Sequence, residues 1–293
     1  PFSLTRIYVF RNIVINMSNE AIIRFVFFGG VLLVLILWER VLPRRKFSAP
    51  RIFTRFGNLG LSFAGTLLIR FLFPLVPVAL AITAKEKGWG LFNAVEFPYI
   101  PGVILSVLAF DLVIYLQHVM FHTVPVLWKI HLVHHADLDL DATTGVRFHP
   151  IEFVISMAIK LGVVVALGTP ALSVLIFEIV LNATAMFNHS NIYIPRGIDR
   201  ILRLIVVTPD MHRVHHSVIV WETNSNFGFN LPWWDRLLGT YRAQPVRGHE
   251  KMNLGLGHLR DRKKITFPKL FTLPLTADPG RYSIRKRDSP PKD

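Results

Sequence analysis

Apolar positions in this chain fall into long runs separated by short basic or polar segments, a pattern of membrane spans rather than of amphipathic soluble helices. The run AIIRFVFFGGVLLVLILW, residues 21–38, is long enough to cross roughly 30 Å of hydrocarbon at about 1.5 Å per residue, with Arg24 able to snorkel from its end. A second run, from about Leu59 to Thr83, contains Pro74 and Pro77, so it predicts either one kinked span or a re-entrant pair. Residues 103–121 form a third run that ends in YLQHVMFH. The apolar stretch from Phe153 to about Phe187 is too long for one span, and GTP at 168–170 marks the tip of a helical hairpin. The expected fold is therefore an all-α integral membrane protein with four to five transmembrane helices. If the second run crosses once, the histidine-bearing regions near 118–149, 189 and 212–216 share one membrane face.

The remaining segments divide the chain. IPRGIDRILRLIVVTP reads as a short amphipathic interfacial helix, after which the sequence turns into a polar cap containing Gly and Asn. We expect an N-terminal extension over 1–20, a membrane-embedded domain over 21–245 and a basic tail over 246–293. MSNEAIIRF at Met17 is a natural start, which would make residues 1–16 an upstream extension, and no cleavable secretory signal is evident.

Composition strengthens the membrane assignment. Of 293 residues, 52% are hydrophobic and 18% charged, and the mean hydropathy is +0.42. The net charge of +14 sits in segments flanking apolar runs, without a nucleic-acid-binding motif, so nucleic acid is not an expected partner. Six Lys or Arg in residues 39–55 mark that loop, and with it the histidine-rich helical cap, as cytoplasmic. The expected location is the inner membrane of a bacterium. The last fifty or so residues hold thirteen Lys or Arg, a tail suited to an anionic leaflet or, alternatively, to docking an acidic redox partner. The chain contains no cysteine, which excludes disulfides, thiolate zinc sites and iron–sulfur clusters and leaves histidine and carboxylate as the strong side-chain ligands.

Ten of the twelve histidines cluster in the central region. His118 and His122 stand four apart, on one helical face. HLVHH (His131, His134, His135) and HRVHH (His212, His215, His216) share the pattern H-x-x-H-H, in which the first and third imidazoles share a face and the second is slightly rotated from it. His149 and His189 complete the set. That many imidazoles exceed the four to six ligands one ion takes, so two metals in a helix-bundle site are expected; imidazole suits zinc, copper, iron and nickel alike.

QHVMFH, HLVHH and HRVHH, in this order with spans between them, resemble the H-x-x-x-H, H-x-x-H-H, H-x-x-H-H signature of the fatty acid hydroxylase and sterol desaturase superfamily. The resemblance runs from about Asp111 to Tyr241 and includes FHPIE, NHSNI, TPDMHRVHH and NFGFNLPWWDRLLGTY. It implies a non-haem di-iron oxygenase that uses O2 as co-substrate and two electrons to hydroxylate or desaturate a lipid-like substrate. His118, His122, His131, His134, His135, His212, His215 and His216 would then be ligands to two Fe ions, joined by His189 and His149. Zinc can replace iron in such a site after purification. No flavin, haem or ferredoxin motif is present, so electrons are expected from an external ferredoxin- or cytochrome b5-type donor with its reductase.

Several other side chains are candidates for support. Asp111 lies two helical turns before His118, with Tyr115 between, as an acceptor for a ligand imidazole or a bundle partner. Asp235 is expected to orient a ligand histidine. Asp137, Asp139 and Asp141 read as a solvated acidic loop, with imidazole acceptors as the other possibility; Asp210 reads as the N-cap of the MHRVHH helix, and Trp233 and Trp234 as an interfacial belt or a lid. Two rival functions fit the same histidines, a zinc-dependent membrane hydrolase and a non-catalytic metal- or lipid-binding protein.

Overall fold

A computed structural model describes residues 20–73 and 77–283; residues 1–19, 74–76 (with Pro74 among them) and 284–293 lie outside the described residues. The described chain is helical, with isolated β-bridges but no named strand. The main helices are α1 (Glu20–Val41), α2 (Ile52–Leu72), α3 (Pro77–Lys87), α4 (Tyr99–Thr123), α5 (Pro125–His135), α6 (Pro150–Leu167), α7 (Ala171–His189), α8 (Arg196–Leu202) and α9 (Pro209–His215). Five helical segments are long and apolar enough to cross a membrane: α1, α2 with α3, α4, α6 and α7. In hydrocarbon every backbone amide needs an internal partner, which favours uninterrupted helices over these runs.

The path of the second apolar run follows from what its two ends touch. At one end Arg51, just before α2, pairs with Asp137 and Asp141 beyond the first H-x-x-H-H motif. At the other end Trp89 and Gly90 pack against Gly168 at the tip of the α6–α7 hairpin. The run therefore traverses the bundle once, from the histidine end to the hairpin end. Gly168 adopts φ 66°, the left-handed conformation that ends α6 and turns the chain into α7.

Inside the bundle, Phe110 of α4 stacks on Phe177 of α7 with ring centroids 5.0 Å apart, amid Ile114, Val164 and Val174. Over the histidine end, part of the basic C-terminal segment folds back instead of standing free. Leu256, Leu270, Leu273 and Tyr282 bury against Trp128, Leu132 and Val133 of α5, and Tyr282 stacks on Trp128 at 5.9 Å. α8 leaves Ile198 and Ile201 exposed, followed by exposed Leu204 and Ile205, an apolar face suited to a membrane surface.

Candidate metal centre

Prolines start the helices around the centre. Pro125, Pro150 and Pro209 occupy the first turns of α5, α6 and α9, where a missing N–H costs nothing and φ is already helical. Thr208, rather than Asp210, caps α9, its side chain accepting from the Met211 amide at 3.3 Å. Asp210 sits one residue inside the helix and pairs with Arg44 and Arg213, because the threonine already fills the capping position.

Nine imidazoles converge in two adjoining clusters. His118, His122, His131, His135 and His215 form one; His134, His189, His212 and His216 form the other, and within each the candidate ligand atoms lie within 4.8 Å of one another. Each H-x-x-H-H motif is divided between them: the outer pair of HLVHH joins the five-histidine cluster and its middle residue the other, while HRVHH does the reverse. His135 and His216, from different clusters, stack with centroids 4.5 Å apart. His149 lies outside both. Its Nδ1 accepts from the Ile151 amide at 3.2 Å, so it is the N-cap of α6, and its Nε2 is 3.1 Å from the Phe271 carbonyl.

The hydrogen bonds behind the rings fix which nitrogen faces inward. In the five-histidine cluster, Nδ1–H of His118 donates to the Phe227 carbonyl at 2.7 Å and that of His215 to the Ser225 carbonyl at 2.8 Å. His122 Nδ1 donates to Asn224 Oδ1 at 3.1 Å and His131 Nδ1 to Glu152 Oε1 at 2.8 Å. With Nδ1 protonated, the Nε2 lone pairs of these four rings point into the cluster, where Nε2 of His122 and His215 is buried without a hydrogen-bond partner. In the four-histidine cluster, His189 Nδ1 donates to the Ala185 carbonyl at 2.7 Å, leaving its Nε2 as an acceptor. That atom faces Nε2 of His134, His212 and His216 at 3.0, 3.1 and 3.1 Å.

One lone pair cannot accept three such hydrogen bonds, whereas imidazole nitrogens about 2.1 Å from a shared cation stand roughly 3.0–3.4 Å apart. Both clusters thus fit a metal ion, and the all-nitrogen donor set suits zinc, copper, iron or nickel. The lone pairs are available at neutral pH. Burial, reinforced by the neighbouring imidazoles, holds His134, His135, His212, His215 and His216 well below the ordinary histidine value. Burial alone lowers His131 to about 3.

The supporting groups differ in part from those expected. Asp137, Asp139 and Asp141 are buried, not solvated, and none of them accepts from an imidazole. Arg51 grips Asp137 through two 2.8 Å bonds and reaches Asp141 at 2.6 Å, so its charge holds the Asp137 carboxyl below the usual carboxylate range despite burial. Arg55 links Asp141 to Glu39 of α1, and Ser48 and Arg262 bind Asp139. This lattice fastens α1 and α2 to the loop that follows HLVHH. Asp111 touches no imidazole; it accepts from Trp234 Nε1 at 2.8 Å, while Trp233 Nε1 donates to the Leu204 carbonyl. Asp235 acts on His118 through the backbone. Its carboxylate accepts from the amides of Phe227 and Gly228 at 2.8 and 2.9 Å, fixing the loop whose Phe227 carbonyl takes the His118 proton. Tyr115 reaches the same loop by way of Thr240.

Glu152 and Asn224, which directly hold the clustered imidazoles of His131 and His122, were not expected from the sequence. The available signal for Glu152 was an ionisable residue at the start of an apolar span; Asn224 had none. Beside the clusters lies a cavity of about 790 Å³ within the helix bundle, lined by His118 and Glu152 and walled by Phe148 and Phe229. Phe148 stacks on His134 at 4.4 Å and Phe229 packs on His118 at 4.9 Å.

Fold and site together define an all-α, multi-pass membrane protein with a paired histidine centre opening on an intramembrane cavity. Residues 103–240 match the fatty acid hydroxylase family. Among similar proteins, the ornithine lipid hydroxylase OlsE of Rhizobium tropici is 29% identical over 72% of this chain and 65% of its own length. The alkylglycerol monooxygenase of Homo sapiens is 30% identical over 60% of this chain and 39% of its own. The cholesterol 25-hydroxylase of Rattus norvegicus is 27% identical over 73% and 71%. The chain thus spans from about two fifths to just under two thirds of the first two relatives' length. No solved structure gives a significant match.

Proposed function

We propose that this protein is a membrane lipid hydroxylase or desaturase working at a non-haem di-iron centre. The observation that carries this reading is the sorting of nine buried imidazoles into two all-nitrogen clusters against an intramembrane cavity. The related ornithine lipid, alkylglycerol and cholesterol enzymes support lipid as the substrate class. For hydroxylation, one C–H bond of the lipid becomes C–OH. One oxygen atom of O2 enters the product, and the other leaves as water with two electrons and two protons from a donor.

His118, His122, His131, His135 and His215 would hold one iron, and His134, His189, His212 and His216 the other. Bound there, the iron pair would supply the oxidising power that activates O2 against an unactivated C–H bond. The chain's own part is positional. Glu152, Asn224 and the Phe227, Ser225 and Ala185 carbonyls hold Nδ1 protons so that the opposite nitrogens face inward. Phe148 and Phe229 screen the centre from water on the cavity side, which protects a reactive site from quenching. With no cysteine, this chain offers no ligands for an iron–sulfur cluster, which supports an external donor of the ferredoxin or cytochrome b5 type. The basic loop 39–55 supports a cytoplasmic centre in a bacterial inner membrane.

The test is metal analysis of protein grown with iron, followed by oxygen-uptake measurements with lipid and a reducing system. Two iron per chain and O2 consumption matched to oxidised lipid are expected. Lipid cleavage without O2 would establish a zinc hydrolase instead, and metal loading with no product a carrier.

A further inference from the structure

Four charged side chains form a continuous row inside the bundle, apart from the histidine centre. Glu20 and Arg24 pair across one turn of α1 at 2.7 Å. Arg24 also reaches Glu178 of α7, and Lys160 of α6 meets the same carboxylate at 2.5 Å. All four line the same cavity as His118 and Glu152, and Gln117 and Asn182 add neutral polar groups to its lining. Lys160 lies eight residues beyond Glu152 on α6, which is about 12 Å along the helix axis. Lys160 and Glu178 therefore sit near the middle of α6 and α7, where ionisable groups are expensive and mark a function more often than a scaffold, while Glu20 and Arg24 come from the first turns of α1.

A clamp between helices would account for the row less well. One closed pair is enough to join two helices, and apolar packing replaces a buried ion pair without loss. Here the charges alternate in sign and face open volume, with 27% of the Arg24 side chain and 19% of Glu20 exposed. We propose that this row seats the headgroup of the substrate, and that the headgroup carries both an ammonium and an anionic group. This rests on the lipid-oxidising reading above. A headgroup with both signs can exchange onto the row, its ammonium against Glu178 or Glu20 and its anion against Arg24 or Lys160, leaving no member uncompensated. A singly charged headgroup would strand one sign, and an uncharged one would match neither.

The experiment is lipid binding by the purified full chain in detergent, read by native mass spectrometry without turnover. The probes are phosphatidylethanolamine, phosphatidylglycerol and diacylglycerol with identical acyl chains. Phosphatidylethanolamine is expected to bind about tenfold more tightly than either of the others, the scale of one charged hydrogen bond. Lys160→Met should abolish most of that preference with metal content unchanged, and Arg24→Lys should keep it. Equal binding of the three lipids by the wild type, or a preference for phosphatidylglycerol, overturns the proposal without any variant. A Lys160→Met protein with wild-type preference overturns it too. Because metal content and oxygen uptake are measured separately, lost oxygen chemistry with intact lipid preference would sink only the oxygenase reading, and the converse only the headgroup seat.

Discussion

Replacing Glu152 probes how much a single buried acceptor contributes to holding metal. Its Oε1 takes the Nδ1 proton of His131 at 2.8 Å, both groups being buried. Glu152→Ala leaves that N–H without a partner, a cost of about 1–3 kcal/mol. It also frees the ring to rotate or change tautomer, which would turn Nε2 from a lone pair into a donor. Both effects fall on the five-histidine cluster, so its metal affinity should drop by roughly 10–100-fold, the usual range for losing such a supporting partner. Glu152→Gln keeps an oxygen where the proton is accepted, so its loss should lie at the low end, about tenfold or less. The assay is competition with a chelator of known affinity on the purified chain, with metal counted by mass spectrometry. Wild-type affinity in Glu152→Ala, or an equal loss in the two variants, would refute the idea that this carboxyl sets the orientation of His131.

Further variants address the rest of the assembly. Arg51→Met leaves Asp137 and Asp141 buried without their main cation and should cost about 3–5 kcal/mol, seen as a lowered thermal midpoint in detergent. Because the Asp137 carboxyl is depressed in the folded protein, its contribution is complete above the ordinary carboxylate value and lost as pH falls toward the folded one; the difference in midpoint between wild type and Arg51→Met should therefore shrink on acidification. His149→Ala removes an N-cap and should lower stability by about 0.5–2 kcal/mol with full metal content, whereas His189→Ala should empty the four-histidine cluster; metal counting on both separates cap from ligand. A Cβ at Gly145 would lie 2.1 Å from the Ala185 carbonyl oxygen, backbone that cannot swing aside. Since that oxygen holds His189, Gly145→Ala should lower both thermal stability and the metal content of its cluster.

The spans were legible because hydrocarbon imposes a length and a polarity that one segment displays by itself. The histidine sets were legible for a related reason: imidazole spacing on a helix is local. What escaped depends on partners far away in the chain. Asp137 and Asp141 look like part of a wet acidic loop until Arg51 and Arg55 arrive from some 86–90 residues upstream, and Asp139 until Ser48 and Arg262 bind it. His149 resembles its neighbours in composition, yet the proline after it starts a helix and turns its ring back to cap that helix. The choice of Thr208 over Asp210 as a cap follows from Pro209 taking the first helical position. Pro74 and Pro77 left two paths for the second run, and only contacts at Arg51 and Gly168 separate them.

The division of each H-x-x-H-H motif between the two clusters ties the two sites into one event. α5 and α9 each send nitrogens both ways, so neither helix can rotate to suit one ion without dragging ligands away from the other. Filling either cluster fixes helices that the second also needs, and lowers the ordering cost still to be met there. Half-loaded molecules should then be scarce at equilibrium, and a one-residue insertion in either helix would disable both sites at once.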